Sequence, residues 1–358
     1  MEPLTHFLTG ACMSRAGLNR TTALATLTMT LGAEAADIDI VAIAKGQTFY
    51  FAHHRGCTHT FVGVPFVAAA VVALVWFIYR IRQRFRKNDA GHAAWLRKRG
   101  LPETPRWAVL YGLACLAGLV HILLDFTNQY GVRPFEPFSY RWYAWDIVFI
   151  YEPVLYVFLI GGLVLPALFA LINEEIGSRS KKPRGAAGAR VALILMVAVW
   201  GLRDFQHRRA LAAMNDRIYR GADAIRLSAF PYPTNPFKWM GVVETETFFE
   251  NMDVDSRGGE VDPKENAVVR YKPQETDVTI AAKSSYLGRA YLDWARYPIT
   301  EVESRQTPAP GYVVRFIDLR YAYPETAGRR PLQASVELDK DLRVIDAWWG
   351  EEPQTDEK

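Results

Sequence analysis

Phe61–Tyr79, FVGVPFVAAAVVALVWFIY, is nineteen residues without a charge, about enough to cross a ~30 Å hydrocarbon layer as a helix rising ~1.5 Å per residue. Outward from it, Trp107–Leu124 supplies eighteen more residues in which His121 alone is ionisable. Ile147–Ile172 is a third candidate. It carries Glu152 followed by Pro153, an acid and a breaker that lipid tolerates only where they face protein or water. Val191–Leu202 is a shorter fourth run, extended by Arg190 and Arg203, whose long side chains can snorkel. Upstream, Leu4–Ser14 and Thr21–Ala36 are weakly apolar and interrupted by Arg15 and Arg20, which predicts a short helical hairpin dipping into the bilayer from one side. The basic residues lie inside this stretch rather than before it, which argues against a signal peptide.

The averages conceal this organisation. The 358 residues have a mean hydropathy of −0.03 and a net charge of +4, as a soluble protein would. Residues 1–206 hold 21 Lys and Arg against 13 Asp and Glu, and the remainder 21 against 25, so the parts carry +8 and −4. The apolar runs all lie in the first part, which excludes a single soluble globule, a disordered chain and a low-complexity fibre. Cys12, Cys57 and Cys115 also fall there and imply no disulfide framework.

Basic loops set the expected orientation. Arg80–Arg106 holds nine Lys and Arg, against Arg133 and Arg141 alone in Asp125–Asp146, so the first loop is read as cytoplasmic. Arg179, Lys181, Lys182, Arg184 and Arg190 lie two crossings later, on the same side. The acidic tail then emerges outside the cytoplasm. The Arg80–Arg106 cluster is an ordinary membrane anchor, and no nucleic-acid partner is expected.

Beyond the last run, Arg203–Ala224 reads as an amphipathic helix and Phe230–Phe237, FPYPTNPF, as a turn-rich linker whose three prolines cannot continue a helix. Residues 1–206 are therefore read as a helical membrane domain, 207–240 as helix and linker, and 241–358 as an extracytoplasmic α+β domain. Period-two alternation marks Val242–Phe249, Ala267–Tyr271, Asp277–Ala281, Gly311–Tyr323 and Ala334–Trp349 as strands of an antiparallel sheet. The expected fold is a polytopic α-helical membrane protein of about four spanning helices and an N-terminal hairpin, followed by this domain. The chain has no Gly-rich phosphate loop, Ser nucleophile elbow or CxxC pair.

Ionisable residues are concentrated beside the apolar runs. His6 begins the first short helix and Asp37 and Asp39 close the second. His54, Arg55, Thr58 and His59 precede Phe61–Tyr79; His121 and Asp125 end the next run, and Asp146 opens the third. The topology puts all of them at one outer face, although it was derived from Lys and Arg alone. His121 and Asp125 at i, i+4 share a helix face and offer one nitrogen and one oxygen ligand a turn apart. Asp37 or Asp39 can ligate, orient a histidine or take a proton from water. Such donors, without Cys, suit a divalent cation: Zn²⁺, with Mn²⁺ or Fe²⁺ as alternatives. The ligand set read from the sequence is His6, Asp39, His54, His59, His121 and Asp125, with Thr58, Asp146 and Glu152 as supporting groups or additional ligands. Blander readings make Asp37 and Asp39 exposed loop acids and Glu152 a partner for Arg141 or Arg55.

The same residues resemble the membrane-bound metal-dependent hydrolase family of YdjM-like inner-membrane proteins. Thr5-His6-Phe7-Leu8-Thr9-Gly10 is similar to its opening His-x-x-x-Gly, and Asp37-Ile38-Asp39 to its Pro-Asp-x-Asp, with Ala36 in place of proline. His54-Arg55-Gly56-Cys57-Thr58-His59-Thr60 is similar to His-Arg-Gly-x-Thr-His-Ser, with Thr60 for serine. His121–Asp125, then Gly131 and Pro137-Phe138-Ser139, resembles the His-x-x-x-Asp stretch, and Asp146–Pro153 the segment after it, with Glu152 for the usual aspartate. The resemblance covers about residues 1–175. It implies a metal hydrolase at a bacterial inner membrane, with a distant likeness to zinc phospholipases C and S1/P1-type nucleases, although this chain has one His-x-x-x-Asp pair rather than two.

The expected activity is hydrolysis of a phosphoester in a lipid or lipid-linked substrate that reaches the site from the bilayer. Asp37 or Asp39 would act as base and Arg55 would hold developing negative charge. A non-enzymatic metal-binding or transport protein is the principal alternative, and a membrane metallo-peptidase or acyl hydrolase the second.

Overall fold

The computed structural model describes residues 1–85, 100–175, 185–306, 309–324 and 331–352, with backbone alone at 167 and 170–175. Much of the basic sequence behind the expected orientation, at 86–99 and 176–184, lies outside the described residues.

Pro3–Arg15 (α1) begins at Glu2, whose carboxylate accepts from the backbone N–H of Leu4 at 2.7 Å and of Thr5 at 3.0 Å. Pro3 sits where a helix has no donor to lose. A 3-10 turn at Leu18–Arg20 reverses the chain into Ala25–Glu34 (α2). At 13 and 10 residues neither helix reaches across a bilayer, so the expected short hairpin forms, and it packs on itself. A 3-10 segment, Ala35–Lys45, leads to Gln47–His53 (α3). Gly63–Phe85 (α4) and Trp107–Thr127 (α5) follow, then Pro153–Glu175 (α6) and the thirty-residue Ala186–Asn215 (α7). Among the described residues three helices, α4, α5 and α7, are long and apolar enough to cross a membrane, and Pro153–Pro166 of α6 is a shorter apolar stretch.

Two boundaries differ from the sequence reading. Ile147–Ile172 is not one helix: α6 starts at Pro153, and before it the backbone N–H groups of Ile147 and Val148 bond the Thr127 carbonyl at 3.0 and 3.2 Å. The chain thereby ties the end of α5 to the start of α6. Val191–Leu202 lies inside α7, which continues to Asn215, so the helix expected from Arg203 is the later part of the same one.

The chain divides into two compact units, Met1–Asp39 with Arg55–Arg203, and Ile40–His54 with Asp204–Lys358. In the first, Leu8 and Cys12 of α1 bury against Leu155 and Leu159 of α6 and Ala189, Ala192 and Met196 of α7. The backbones of α6 and α7 meet closely at two glycines. A Cβ on Gly162 would stand 2.7 Å from the Gly188 carbonyl oxygen, and one on Gly188 would stand 2.5 Å from Pro166 Cγ. Small residues permit this approach where helices have no hydrophobic drive to associate in lipid.

The second unit holds two antiparallel sheets. Arg226–Pro231 (β1), Lys238–Glu244 (β2), Phe248–Asp255 (β3), Glu260–Val261 (β4) and Val268–Tyr271 (β5) form one, in the order β1-β2-β3-β4 with β5 on β3. Asp277–Ser284 (α8) and Tyr286–Trp294 (α9) precede the second sheet, Pro298–Arg305 (β6), Gly311–Asp318 (β7), Ala334–Asp339 (β8) and Val344–Trp349 (β9), a simple meander. Antiparallel pairing is as expected, but several assignments are corrected. Asp277–Ala281 is helix, because Thr276 and Thr279 form a reciprocal capping box that closes the first turn. Val242–Phe249 spans a turn between β2 and β3, and Ala334–Trp349 is a hairpin of two strands. Phe230–Phe237 is not a boundary: Phe230 and Pro231 end β1, with Phe230 fully buried.

Candidate metal centre

Five segments of the first unit bring polar side chains together. α1 carries His6, the 3-10 segment after α2 carries Asp37 and Asp39, and a 3-10 turn, Cys57–His59, carries His59. Arg55 precedes that turn with φ +56°, a left-handed conformation that a non-glycine residue adopts at a cost of roughly 1–2 kcal/mol. α5 presents His121 and Asp125 one turn apart. Thr60 fixes the exit: its hydroxyl donates to the Cys57 carbonyl at 3.1 Å and accepts from the Gly63 N–H at 2.8 Å, starting α4. His6, His59, His121 and Asp125 are all fully buried.

His121 fixes the chemistry of the cluster. Its Nδ1 is 2.6 Å from the Ala33 carbonyl oxygen, which can only accept, so the hydrogen is on Nδ1. Nε2 is then the ring nitrogen left to face the acids, 3.4 Å from Asp125 Oδ2 and 3.6 Å from Asp37 Oδ1. His59 Nε2 stands 3.5 Å from the same Asp125 Oδ2 and 3.2 Å from Asp37 Oδ1. The His6 ring stacks on His121 with centroids 3.8 Å apart. Two donor triads result, His59–His121–Asp125 and His6–Asp37–His121, the first wholly buried. Part of the positive charge that balances these donors comes from Arg55 and the Met1 amino group, both on Asp125 Oδ1.

The donor set fits a divalent cation. Among the described residues His6 Nδ1 and Nε2, His121 Nε2 and Asp125 Oδ2 are buried without a hydrogen-bond partner, which suits atoms that ligate a cation. Separations of 3.2–3.6 Å are close to the ~3.3 Å between two ligands each ~2.0 Å from a common zinc ion at a tetrahedral angle. The next layer is also in place. His121 is oriented by Ala33, and His59 Nδ1 lies 3.0 Å from the Thr58 hydroxyl and 3.5 Å from Asp39 Oδ2. Burial, opposed by the hydrogen bond to Asp37, holds His59 down to about 4, and burial with His121 nearby holds His6 down to about 3. Both rings are thus neutral, the form that ligates. Burial works against the Asp37 carboxylate, but the hydrogen bond with His59, then His121, holds it below the ordinary range.

Arg55 enters from the side. Its Nη2 lies 2.8 Å from Asp125 Oδ1, its Nη1 donates to the Gly131 carbonyl at 2.7 Å, and its guanidinium sits 4.7 Å from the Tyr130 ring centre. The Met1 amino group also donates to Asp125 Oδ1. Arg55 Nε is buried with no hydrogen-bond partner.

The sequence-predicted residues divide accordingly. His6, His59, His121 and Asp125 converge as expected, and Thr58 supports His59. Asp39, expected as a ligand, is in neither triad, whereas Asp37 is in the second: Asp39 stands at the Nδ1 side of His59 and accepts from the Arg55 backbone N–H at 3.0 Å. In a 3-10 segment of three residues per turn, residues two apart lie about 120° apart around the axis, and the two acids meet opposite nitrogens of His59. His54 belongs to neither triad; it follows α3, its ring 4.9 Å from that of Tyr50. Glu152 is bonded to Arg203 at 2.7 Å, both side chains fully enclosed, rather than to a ligand, Arg141 or Arg55. Asp146 is in neither triad; the N–H groups of Trp145 and Ile147 on either side of it tie the chain to Phe126 and Thr127. The sequence reading passed over Glu34. Its Oε1 is buried without a hydrogen-bond partner, and burial, then Asp37, pushes its carboxyl up to about 7. Its position three residues before Asp37, one turn of helix, was the available signal.

The profile of a family described as YdjM inner membrane protein matches residues 1–210, and that of the YfhP C-terminal alpha/beta plait domain matches residues 277–358, the stretch of α8, α9 and β6–β9. The chain is 25% identical over 321 residues to an uncharacterized protein YfhP of Bacillus subtilis (strain 168), covering 89% of this chain and 83% of that protein. No solved structure matches.

Proposed function

The chain belongs to the YdjM inner membrane protein family, and from that footing we propose that it is a membrane-bound, metal-dependent hydrolase acting on a phosphoester of a lipid or lipid-linked substrate. The observation that carries the reading is His121 Nε2, a buried ring nitrogen facing two carboxylates. His59, His121 and Asp125 would hold the cation as three protein ligands, the count found in catalytic zinc sites that keep one position open. Zn²⁺ is favoured by this nitrogen and oxygen set, with Mn²⁺ or Fe²⁺ as alternatives.

A bound divalent cation supplies a water acidified toward pKa ~7 and a charge that polarises the phosphoryl oxygen. Asp37, whose side chain is 23% exposed where Asp125 is sealed, would be the carboxylate placed to accept a proton there. Asp39 and Thr58 hold the His59 ring in place. Arg55 fixes Asp125 through one nitrogen and keeps Nε available for the developing oxyanion. The apolar helices around the site favour a substrate already dissolved in the bilayer. The charge balance of the loops favours an extracytoplasmic site and C-terminal unit.

The test is elemental analysis of purified protein together with turnover on phospholipid, nucleotide and simple ester substrates. Stoichiometric metal and phosphodiester hydrolysis, both lost in His121→Ala and Asp125→Ala, are expected. A folded protein that takes up no divalent cation would overturn the reading.

A further inference from the structure

We propose that the C-terminal unit positions the metal site through the segment 40–54, with Phe51 and Trp349 as positioning residues. The segment leaves the first unit immediately after Asp39 and returns immediately before Arg55. Every site residue contributed by this part of the chain flanks it: Asp37 and Asp39 at the entrance, Arg55, Thr58 and His59 at the exit. The two ends are clasped, since the Arg55 backbone N–H donates to Asp39 Oδ2 at 3.0 Å.

The excursion itself is seated in the core of the second unit. Phe51 of α3 is buried, its ring 4.0 Å from that of Trp349 on β9, edge-on to Trp294 at 5.2 Å and stacked on Tyr291 at 6.3 Å, both on α9. Trp349 Nε1 donates to the Thr48 hydroxyl at 3.2 Å. The plug thus joins α3 to the helix and the last strand of the meander. Covalent continuity then makes the strap a lever. A seated Phe51 limits where the two ends can lie, and Arg55 can hold its left-handed backbone only if its surroundings enforce it. Released, the strap would let Asp39 and Arg55 part, and with them the partners of His59 and Asp125.

The metal part of this inference rests on the proposed function; the mechanical part does not. Amide hydrogen exchange of the full chain in detergent is measured beside Zn²⁺ affinity from chelator competition. Phe51→Ala and Trp349→Ala should each speed exchange across 35–39 and 55–60 and weaken Zn²⁺ binding by ~10-fold or more, the scale of lost supporting contacts. Phe51→Leu, which keeps an apolar plug, should recover most of both. Val254→Ala, a core substitution in the other sheet, should leave both unchanged. Unaltered exchange at 35–39 and 55–60 in Phe51→Ala, or an equal change in Val254→Ala, overturns the proposal. A wild-type chain that binds no Zn²⁺ but shows this exchange pattern supports the positioning and defeats the metal reading alone.

Discussion

Arg55 and Asp125 divide the carboxylate between them: Oδ1 lies 2.8 Å from the guanidinium, while Oδ2 is left facing the His59 and His121 nitrogens. One side chain is therefore both anchored and free to ligate. Arg55 cannot ligate, because its guanidinium offers only donors. Arg55→Ala should weaken metal binding by about 10–100-fold through loss of that anchor, and lower turnover by roughly 10²–10³-fold through loss of an oxyanion donor. Arg55→Lys should recover part of the affinity and less of the turnover. Full activity in a metallated Arg55→Ala protein excludes the role.

Asp37 and Asp39 should separate in function. Asp37→Asn is expected to lower turnover more than metal content, since it removes the proton acceptor. Asp39→Asn should weaken metal binding by about 10–100-fold through the orientation of His59, with turnover recovering at high metal concentration. Equal behaviour of the two variants would remove the distinction.

Glu34 makes a pH prediction for the metal-free protein. Its carboxyl is raised from 4.5 to about 7, so the folded state holds a proton that the unfolded chain has lost between these values. The stability contributed by the neutral form is complete below 4.5 and is lost as pH rises through 7. Glu34→Gln, neutral at every pH, should raise the melting temperature at pH 8 and leave it near wild type at pH 4.5. A melting gain independent of pH would show that the carboxyl is not the source.

Glu152 and Arg203 form a sealed ion pair away from both triads. Glu152→Ala should leave metal content unchanged and destabilise by about 3–5 kcal/mol, because an uncompensated buried charge remains. The double variant Glu152→Leu with Arg203→Met should restore most of this. Metal loss in Glu152→Ala at normal stability would return Glu152 to the ligand set.

Topology is tested by reporter fusions. A reporter after Lys358 should be active outside the cytoplasm and one near Asp89 inside, the arrangement the basic loops favour when α6 crosses together with α5 and α7. Activity of both on one side removes a crossing.

Much of this was legible along the chain because it depends on local quantities. Apolar length decides that Phe61–Tyr79 and Trp107–Leu124 are membrane-compatible helices, and helical period decides that His121 and Asp125 share a face. The recurrence of His and Asp at one end of the runs marked His6, His59, His121 and Asp125 without any contact being seen. Other features depend on residues distant in sequence. Which nitrogen of His59 each of Asp37 and Asp39 meets follows from the turn of a 3-10 segment, and the partner of Glu152 from a helix fifty-one residues later. Asp277–Ala281 alternates as a strand would, yet folds as helix because one threonine pair closes its first turn. That residues 40–54 leave the membrane half for the core around Trp349 follows from burial of the Phe51 ring, a gain that exists only once the partner surface has formed. Sequence determined the elements and the donor types; the tertiary structure decided which donor faces which, because facing depends on contacts between segments that no local pattern encodes.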